Sequence, residues 1–276
     1  MHKPRSVRIF GVPVHNGDRE LVLAEMQRAI RGDRQPRHIC ITSSELMFHA
    51  RRFKFIPEYA ERAAFSLCDS AGVALNGLLR GTMIRRLTGP MLMEQSFDYG
   101  AQHGWRHFFC GGAEGVADGL AMRMSRQVPG FISAGTFSPP FGEQSPDDEA
   151  RMIRLINESG ADVLWVGLGV VKQESWIERY IDEINVPWLI GVGGAFDYFA
   201  GTVARAPKAV RAVGMEWSYR LLREPWRYKR ISTNLLFGLE GVIDAATGRA
   251  PYFRTRPTSE VQAPEWRGKR KELQKL

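Results

Sequence analysis

Short apolar runs alternate along most of this chain with longer segments whose apolar residues recur at helical spacing. The apolar runs predict strands at residues 7–14, 38–41, 65–68, 106–110, 131–136, 163–166 and 188–192. A strand followed by a helix, repeated along the chain, is the arrangement that a parallel sheet requires. The pattern therefore predicts an α/β fold with a mostly parallel sheet of roughly six or seven strands, flanked by helices.

Two of the predicted strands end in glycine turns that open helices. Strand 163–166 runs into Gly167-Leu168-Gly169, and strand 188–192 runs into Gly193-Gly194. The amide groups of such turns point outward at the start of a helix, where they attract phosphate. The stretch therefore predicts a nucleotide or nucleotide-sugar site. A third pair, Gly111-Gly112, is compatible with phosphate binding and equally with a simple tight turn.

The glycine spacing argues against a dinucleotide cofactor. Lys172 stands where the Gly167-x-Gly169 turn would need its third glycine, and Phe196 stands there after Gly191-x-Gly193. A nucleotide-dependent oxidoreductase is therefore a rival hypothesis that an absence of NAD(P) binding would remove. The chain also lacks an Asp-x-Asp pair, the usual carboxylate pair for a metal-bound nucleotide sugar. We predict no metal site and no cofactor.

Positive charge is concentrated after the last predicted strand. Residues 205–230 hold eight basic and two acidic residues, a net charge of +6 out of +8 for the whole chain. Such a segment favours an anionic partner, whether phosphate, a lipid headgroup or nucleic acid. An unbroken helix would place four arginines on one face: Arg220, Arg223, Arg227 and Arg230. Pro225 interrupts this helix, and a solvated basic face is the simpler alternative. Interleaved Trp and Tyr residues favour an interfacial membrane helix or a lid over an anion.

Apolar residues follow this basic segment at helical spacing, and we expect them to form one helix face: Leu235, Leu236, Leu239, Val242 and Ile243. We therefore divide the chain into an α/β catalytic core at 1–203, a helical appendage at 204–247, and a polar tail at 248–276 that we expect to be loosely ordered. Burial of the apolar face in lipid or against a second subunit fits the pattern equally well, so a homo-oligomer is one expectation.

The three cysteines, Cys40, Cys68 and Cys110, lie within or at the end of apolar runs. An odd number of such residues, with no Cys-x-x-Cys pair, is typical of reduced core thiols in a cytosolic protein. The sequence shows no signal peptide and no apolar run of the length that spans a bilayer. We expect a cytoplasmic protein, whose basic segment at 205–230 would let it associate peripherally with a membrane surface.

Two polar residues stand at the ends of predicted strands, where open α/β sheets bind ligands. Asp69 follows the strand 65–68, and Thr42 follows the strand 38–41. A carboxylate at this edge can act as general base on a substrate hydroxyl. The alternative for Asp69 is a cap on the following helix, and for Thr42 a cap is the more common role.

Several motifs together carry a family resemblance. They are Thr-x-x-Glu at 42–45, Cys-Asp-Ser-x-Gly-Val at 68–73, Arg-Leu-Thr-Gly at 86–89, Gly-Gly at 111–112, Gly-Leu-Gly-x-x-Lys-Gln-Glu-x-Trp-Ile at 167–177, Gly-Val-Gly-Gly-Ala-Phe-Asp-Tyr-x-Ala-Gly at 191–201, Ala-Pro-Lys at 206–208 and Gly-Met-Glu-Trp-x-Tyr-Arg-Leu-x-x-Glu-Pro-Trp-Arg at 214–227. In this order they resemble the WecG/TagA/CpsF family of bacterial glycosyltransferases, family 26. The resemblance covers roughly residues 7–235, and the last two motifs are the most specific.

The resemblance implies a Rossmann-like α/β domain with a C-terminal appendage at the membrane. It implies transfer of a sugar from a UDP-sugar, with inversion and without a metal, onto a polyprenyl-diphosphate-linked acceptor in cell-surface polysaccharide biosynthesis. The implied partners are these two substrates and the inner-membrane surface, with no nucleic acid. A non-catalytic nucleotide-sugar-binding regulator or scaffold of such a pathway is the alternative.

Carried over by motif, Asp69 is the base that activates the acceptor hydroxyl, with Thr42 and Gln173 close to it. Asp197 helps to hold the uridine, and arginines of the appendage neutralise the leaving diphosphate. The predicted substrate-binding set is Arg86, Gly111, Gly112, Gly169, Lys172, Gly193, Gly194, Asp197, Arg220, Arg227 and Arg230.

Three positions depart from the family pattern. Ser44 stands where the family usually has an amide, Ser70 where it has glycine, and Met91 where it has a carboxylate. These departures leave the donor sugar open.

Overall fold

The structure is a computed structural model that describes residues 5–140, 145–204, 206–207, 219 and 228–247, with side chains at 236–244 and 247 in the last range. Arg220 and Arg227 lie outside the described residues, as does the side chain of Arg230. The predicted tail at 248–276 lies outside them as well.

Eight strands form one sheet in the described part of the chain. Their bounds are β1 Ser6–Ile9, β2 Val12–His15, β3 Arg37–Thr42, β4 Phe65–Cys68, β5 Arg106–Gly111, β6 Ile132–Phe137, β7 Val163–Gly167 and β8 Trp188–Gly191. The spatial order is β1-β2-β4-β3-β8-β7-β5-β6, and every strand pair is parallel except β1 with β2. The predicted α/β fold with a mostly parallel sheet is confirmed.

The first predicted strand, residues 7–14, is a hairpin of two strands instead. Its two-residue turn is Phe10-Gly11, with φ of 48° and 84°. Positive φ at both positions is the geometry that joins antiparallel strands most tightly. Because apolar residues continue through the turn, the hydrophobic pattern alone predicts a single strand. The hairpin therefore explains why the sheet has eight strands where seven were predicted.

Helices connect the strands. Their bounds are α1 Arg19–Arg31, α2 Ser44–Ala50, α3 Phe55–Arg62, α4 Ala71–Leu79, α5 Gly89–His103, α6 Val116–Gln127, α7 Pro146–Glu158, α8 Lys172–Tyr180, α9 Ala195–Ala200 and α10 Tyr228–Thr247. A 3-10 turn, Ile181–Glu183, extends α8. The side-chain oxygens of Asp18, Ser43, Ser70, Thr88 and Ser145 accept first-turn amides and so define where their helices begin.

The helices cover both faces of the sheet. One apolar core lies under α2, α3, α4, α7 and α8, and the other lies under α1, α5, α6 and α9. All three cysteines are buried and free, as predicted. Burial raises the pKa of each thiol to about 12, so the thiols stay protonated at neutral pH.

Helix α10 packs against α2 and α4 through one face. Phe237 is fully buried and its ring lies edge-on to the Phe10 ring, 5.6 Å away. Glu240 forms a buried ion pair with Arg51, and Asp244 pairs with Arg80. These contacts seat the helix on the α/β core.

The seating of α10 turns the predicted apolar face outward. Leu236, Leu239, Val242 and Ile243 are all exposed, Leu239 by 58%. The side chain of Leu235 lies outside the described residues. The face therefore exists, but it does not pack on the core.

Candidate active site

The carboxyl ends of the parallel strands open a crevice around β8. Strand β8 is followed by α9 on one face of the sheet, whereas its neighbours β3 and β7 are followed by α2 and α8 on the other face. Helices that leave adjacent strands toward opposite faces separate the loops at that point, and ligands of open α/β sheets bind there. The predicted residues that follow β3, β4, β5, β7 and β8 therefore share one edge of the sheet.

Asp69 follows β4 at this edge and is half-buried. One carboxylate oxygen accepts the N–H of Gly89, the first residue of α5, at 3.0 Å. Its own N–H donates to the Thr42 carbonyl at 3.1 Å. The cap of α4 is Ser70, so the alternative reading of Asp69 as that cap is wrong. The carboxylate instead stands at the positive end of α5, where negative charge is stabilised.

Thr42 ends β3 and pairs with Cys68, the residue before Asp69, but it carries its hydroxyl inward. The residue is fully buried, and its Oγ1 lies 2.7 Å from Ser66 Oγ. Ser43 caps α2, so the cap reading of Thr42 is also wrong. What Thr42 provides in this structure is the carbonyl that holds the Asp69 backbone.

Two of the three departures from the family pattern touch each other. The hydroxyl oxygens of Ser44 and Ser70 lie 2.7 Å apart, and Ser70 Oγ also accepts the Ser44 N–H. The pair ties the start of α2 to the start of α4 next to Asp69. The two residues are 26 positions apart in sequence, so no local sequence pattern predicts their contact.

The Gly111-Gly112 turn packs against the turn after β7. A Cβ at Gly111 would lie 2.6 Å from the Gly167 carbonyl carbon, and Gly112 donates its N–H to the Gly167 carbonyl. Gly111 has a φ of 122°, a conformation that favours glycine. Close backbone packing therefore accounts for Gly111; phosphate binding by the pair stays a prediction.

The other predicted glycines leave room above the edge. Gly169 has a φ of 89° with no atom within 4 Å of an added Cβ, and Lys172 is exposed at the start of α8. Gly193, with a φ of 54°, and Gly194 form the turn into α9. The open space at Gly169, beside the start of α8, is compatible with an anion there.

Gln173 is buried, and its amide is engaged by the protein. Its carbonyl oxygen accepts the Gly193 N–H at 2.8 Å, and its NH₂ donates to Glu174 at 2.9 Å. Gln173 therefore links the turns after β7 and β8. Glu174 belongs to the motif at 167–177, but no role was predicted for it. An acidic residue in the first turn of a helix is a sequence signal for a capping interaction, and this signal could have identified it.

Arg86 lies in the loop before α5, close enough to Cys68 to affect the pKa of its thiol. Burial raises the pKa of the Cys68 thiol, Asp69 raises it further and Arg86 opposes the increase, so both charges lie close to this thiol. The Nε of Arg86 is buried and has no hydrogen-bond partner among the described residues. Arg86 therefore stays a predicted cation for an anionic substrate.

Asp197 lies in the first turn of α9, half-buried, and its carbonyl accepts the amides of Gly201 and Val203. Its carboxylate lies 3.5 Å from the Thr202 hydroxyl. The side chain is thus at the β8 end of the same edge. Its contact with uridine stays a prediction, as do the roles of Arg220, Arg227 and Arg230.

Within the described residues, no group of three His, Cys, Asp or Glu side chains could hold a metal ion. No described helix is both long enough and apolar enough to cross a bilayer. A shallow groove of about 550 Å³ lies between α6 and the edge strand β6, and none of the predicted site residues lines it.

Comparison with known proteins gives a family match over most of the chain. The model of the glycosyl transferase WecG/TagA/CpsF family matches residues 7–250, further toward the C-terminus than the resemblance predicted. A protein of Bacillus spizizenii named N-acetylglucosaminyldiphosphoundecaprenol N-acetyl-beta-D-mannosaminyltransferase is 31% identical over 70% of this chain and 74% of its own length. Proteins of the same name from Bacillus subtilis, 27% identical over the same shares, and from Staphylococcus aureus strain MW2, 25% identical over 72% of this chain and 77% of that protein, are also similar. This chain belongs to the WecG/TagA/CpsF family of glycosyltransferases.

Proposed function

We propose that this protein transfers a sugar from a UDP-sugar to a polyprenyl-diphosphate-linked acceptor, with inversion at the anomeric carbon and without a metal ion. The observation that carries the proposal is the position of Asp69 on the sheet edge that also holds the glycine turns, with one oxygen oriented by the Gly89 amide. The names of the similar proteins, which describe a diphosphoundecaprenol-linked acceptor, support the acceptor class.

In the proposed reaction Asp69 is the general base. The acceptor hydroxyl oxygen attacks the anomeric carbon of the donor while its proton passes to the Asp69 carboxylate. The bond between that carbon and the UDP oxygen breaks, and its electron pair leaves with the diphosphate. A single displacement of this kind inverts the configuration.

The leaving diphosphate needs positive charge at the opposite end of the site. Lys172 at the start of α8 and the amides of the glycine turns are candidates on the core. Arg86 is a further candidate to bind an anionic group of either substrate. We assign the same role to Arg220, Arg227 and Arg230 of the appendage at 204–247, because a guanidinium group can donate two parallel hydrogen bonds to two oxygens of one phosphate. Fixed cations of this kind are the reason to propose catalysis without a metal.

We further propose that α4 and α10 together contact the inner-membrane surface. The two helices pack against each other, and α4 exposes Leu75, Leu78 and Leu79 next to the apolar face of α10. An exposed apolar surface of this kind marks an interaction site. Asp69 immediately precedes Ser70, the cap of α4, so a bilayer against these helices would bring a lipid-linked acceptor close to the base.

The test is release of UDP when the full-length protein is given a lipid-linked acceptor and a panel of UDP-sugars, beginning with UDP-N-acetylmannosamine. The expected result is turnover with at least one donor, and loss of turnover in the Asp69→Asn variant. A protein that binds UDP but releases none with any donor would instead be a non-catalytic nucleotide-sugar binder, and the proposal would be wrong.

A further inference from the structure

A chain of three hydrogen bonds joins the two glycine turns of the site. The Val171 N–H donates to Glu174 Oε2 at 2.5 Å, and the Gln173 NH₂ donates to Glu174 Oε1 at 2.9 Å. The Gly193 N–H then donates to the Gln173 carbonyl oxygen at 2.8 Å. We call these four residues the polar relay. It connects the turn after β7 with the turn after β8.

The first residue of the polar relay has an unusual backbone. Val171 has φ 73° and ψ −45°, in the γ-turn region that β-branched residues rarely adopt. Such a conformation persists where surrounding contacts impose it, and it recurs at functional sites. The Glu174 carboxylate is bonded to this residue's own amide. The strained turn is therefore held by one side chain.

Glu174 is buried at a place where an ionised group is costly. Burial raises its pKa to about 7, while the hydrogen bonds from Gln173 and Val171 lower it and Glu45 of α2 raises it. Its charge also acts on Cys40 of β3 and Tyr59 of α3. Burying an ionised carboxyl group costs free energy unless its oxygens accept hydrogen bonds, and both oxygens of Glu174 do so.

We propose that Glu174 is a positioning residue, which locks the Gln173 amide and the Val171 turn and thereby fixes the two glycine turns at the spacing that the donor diphosphate requires. The inference rests on the proposed function for the identity of the ligand. The geometry of the polar relay itself does not depend on it. Glu174 is buried and need not touch the substrate for this role.

Only one order of hydrogen-bond donors and acceptors satisfies every group of the polar relay. Both ends, Val171 and Gly193, are amide donors, so the two side chains between them must offer an acceptor at each end and one donor in the middle. Glu174→Gln places two NH₂ groups face to face, and flipping the Gln173 amide only moves the clash to Gly193. Gln173→Glu places two carboxyl groups face to face, where they can share one proton, so Glu174→Gln is the single variant that breaks the polar relay. The exchange variant Gln173→Glu/Glu174→Gln restores an acceptor at each end and a donor between.

The experiment measures UDP binding by calorimetry and amide hydrogen exchange of segment 167–194 in the full-length protein. We expect Glu174→Gln to weaken UDP binding by about tenfold or more, the scale of a buried polar group left unsatisfied, and to speed exchange at Val171 and Gly193. The exchange variant is expected to recover both to within about threefold. Glu183→Gln, an exposed glutamate just beyond α8, is the control and should change neither.

Several outcomes would overturn the inference. UDP affinity and exchange at the wild-type level in Glu174→Gln contradict it, and so does an exchange variant that is as impaired as Glu174→Gln. If Glu174→Gln does not fold, an exchange variant that folds and binds UDP supports the polar relay, and one that does not fold contradicts it. A wild type that binds no UDP refutes the proposed function, whereas the hydrogen exchange still decides the polar relay.

Discussion

Asp69 and Gly89 are 20 positions apart in sequence, yet a carboxylate oxygen of the first accepts the N–H of the second at 3.0 Å. The bond connects the end of β4 to the start of α5. It orients the carboxyl group at the positive end of a helix of 15 residues. The Asp69 N–H donates to the Thr42 carbonyl, and the Asp69 carboxylate accepts the Gly89 N–H. The backbone therefore holds the proposed base on both sides.

Asp69→Asn tests the base directly. The asparagine carbonyl still accepts the Gly89 N–H, so we expect folding and UDP affinity to be retained, but the amide cannot take the acceptor proton. Turnover should fall by about 10²–10⁴-fold, the usual contribution of a general base. The measurement is UDP release under saturating donor, with UDP affinity from calorimetry as the control. Turnover within about threefold of wild type would exclude Asp69 as the base.

Gly111→Ala tests the close packing of the turns after β5 and β7. An added Cβ would meet the Gly167 backbone at 2.6 Å and would force a φ of 122° on alanine. We expect a loss of about 3 kcal/mol or more in the free energy of unfolding. Gly104→Ala is the matched control, because Gly104 also has positive φ but no atom within 4 Å of an added Cβ. It should lose about 1 kcal/mol, and equal losses in urea unfolding would contradict the packing argument.

Leu239→Glu tests the proposed membrane surface. Leu239 is exposed on α10, so a charge there should leave the free energy of unfolding within about 0.5 kcal/mol of wild type. Binding to anionic lipid vesicles should fall by about tenfold, because an apolar contact is replaced by a repelled charge. Leu21→Glu on α1, exposed on the opposite face of the sheet, is the control.

Two results would contradict this membrane assignment. One is unchanged vesicle binding in Leu239→Glu. The other is a wild-type dimer in sedimentation velocity that Leu239→Glu dissociates, because the apolar face would then be a subunit contact. Truncation near residue 205 is less informative, since it also removes Phe237, which is buried in the core.

The raised pKa of Glu174 predicts a pH dependence of stability. The pKa is about 7 in the folded protein against 4.5 for the free group, so the folded state binds the extra proton between these values. The stabilising contribution is complete below pH 4.5 and is lost as the pH rises through 7. Relative to Glu174→Gln, wild type should lose on the order of 3 kcal/mol between pH 4.5 and pH 8.

Urea unfolding of both proteins at several pH values measures this difference. Burial lowers the pKa of His107 to about 3, which weakens the folded state as the pH falls below 6.5, but this contribution is common to both proteins and cancels. Parallel stability curves for the two proteins would show that Glu174 does not titrate in this range.

Local patterns predicted the elements because neighbouring residues encode them. The strand 65–68 has the predicted bounds. The hairpin at Phe10-Gly11 escaped prediction because its apolar residues continue through the turn. The motif order also predicted the family, since motifs are read along the chain.

What the sequence by itself determined is most of the strands, their alternation with helices, the turn glycines, the α/β class and the family. The tertiary structure alone decided which residues meet: Ser44 with Ser70, Gln173 with Glu174 and Gly193, and Phe237 with Phe10. It also decided that α10 buries Phe237 and exposes Leu239. The physical reason is that propensities and caps depend on residues within a few positions, whereas the partner of a side chain depends on strand order and helix seating.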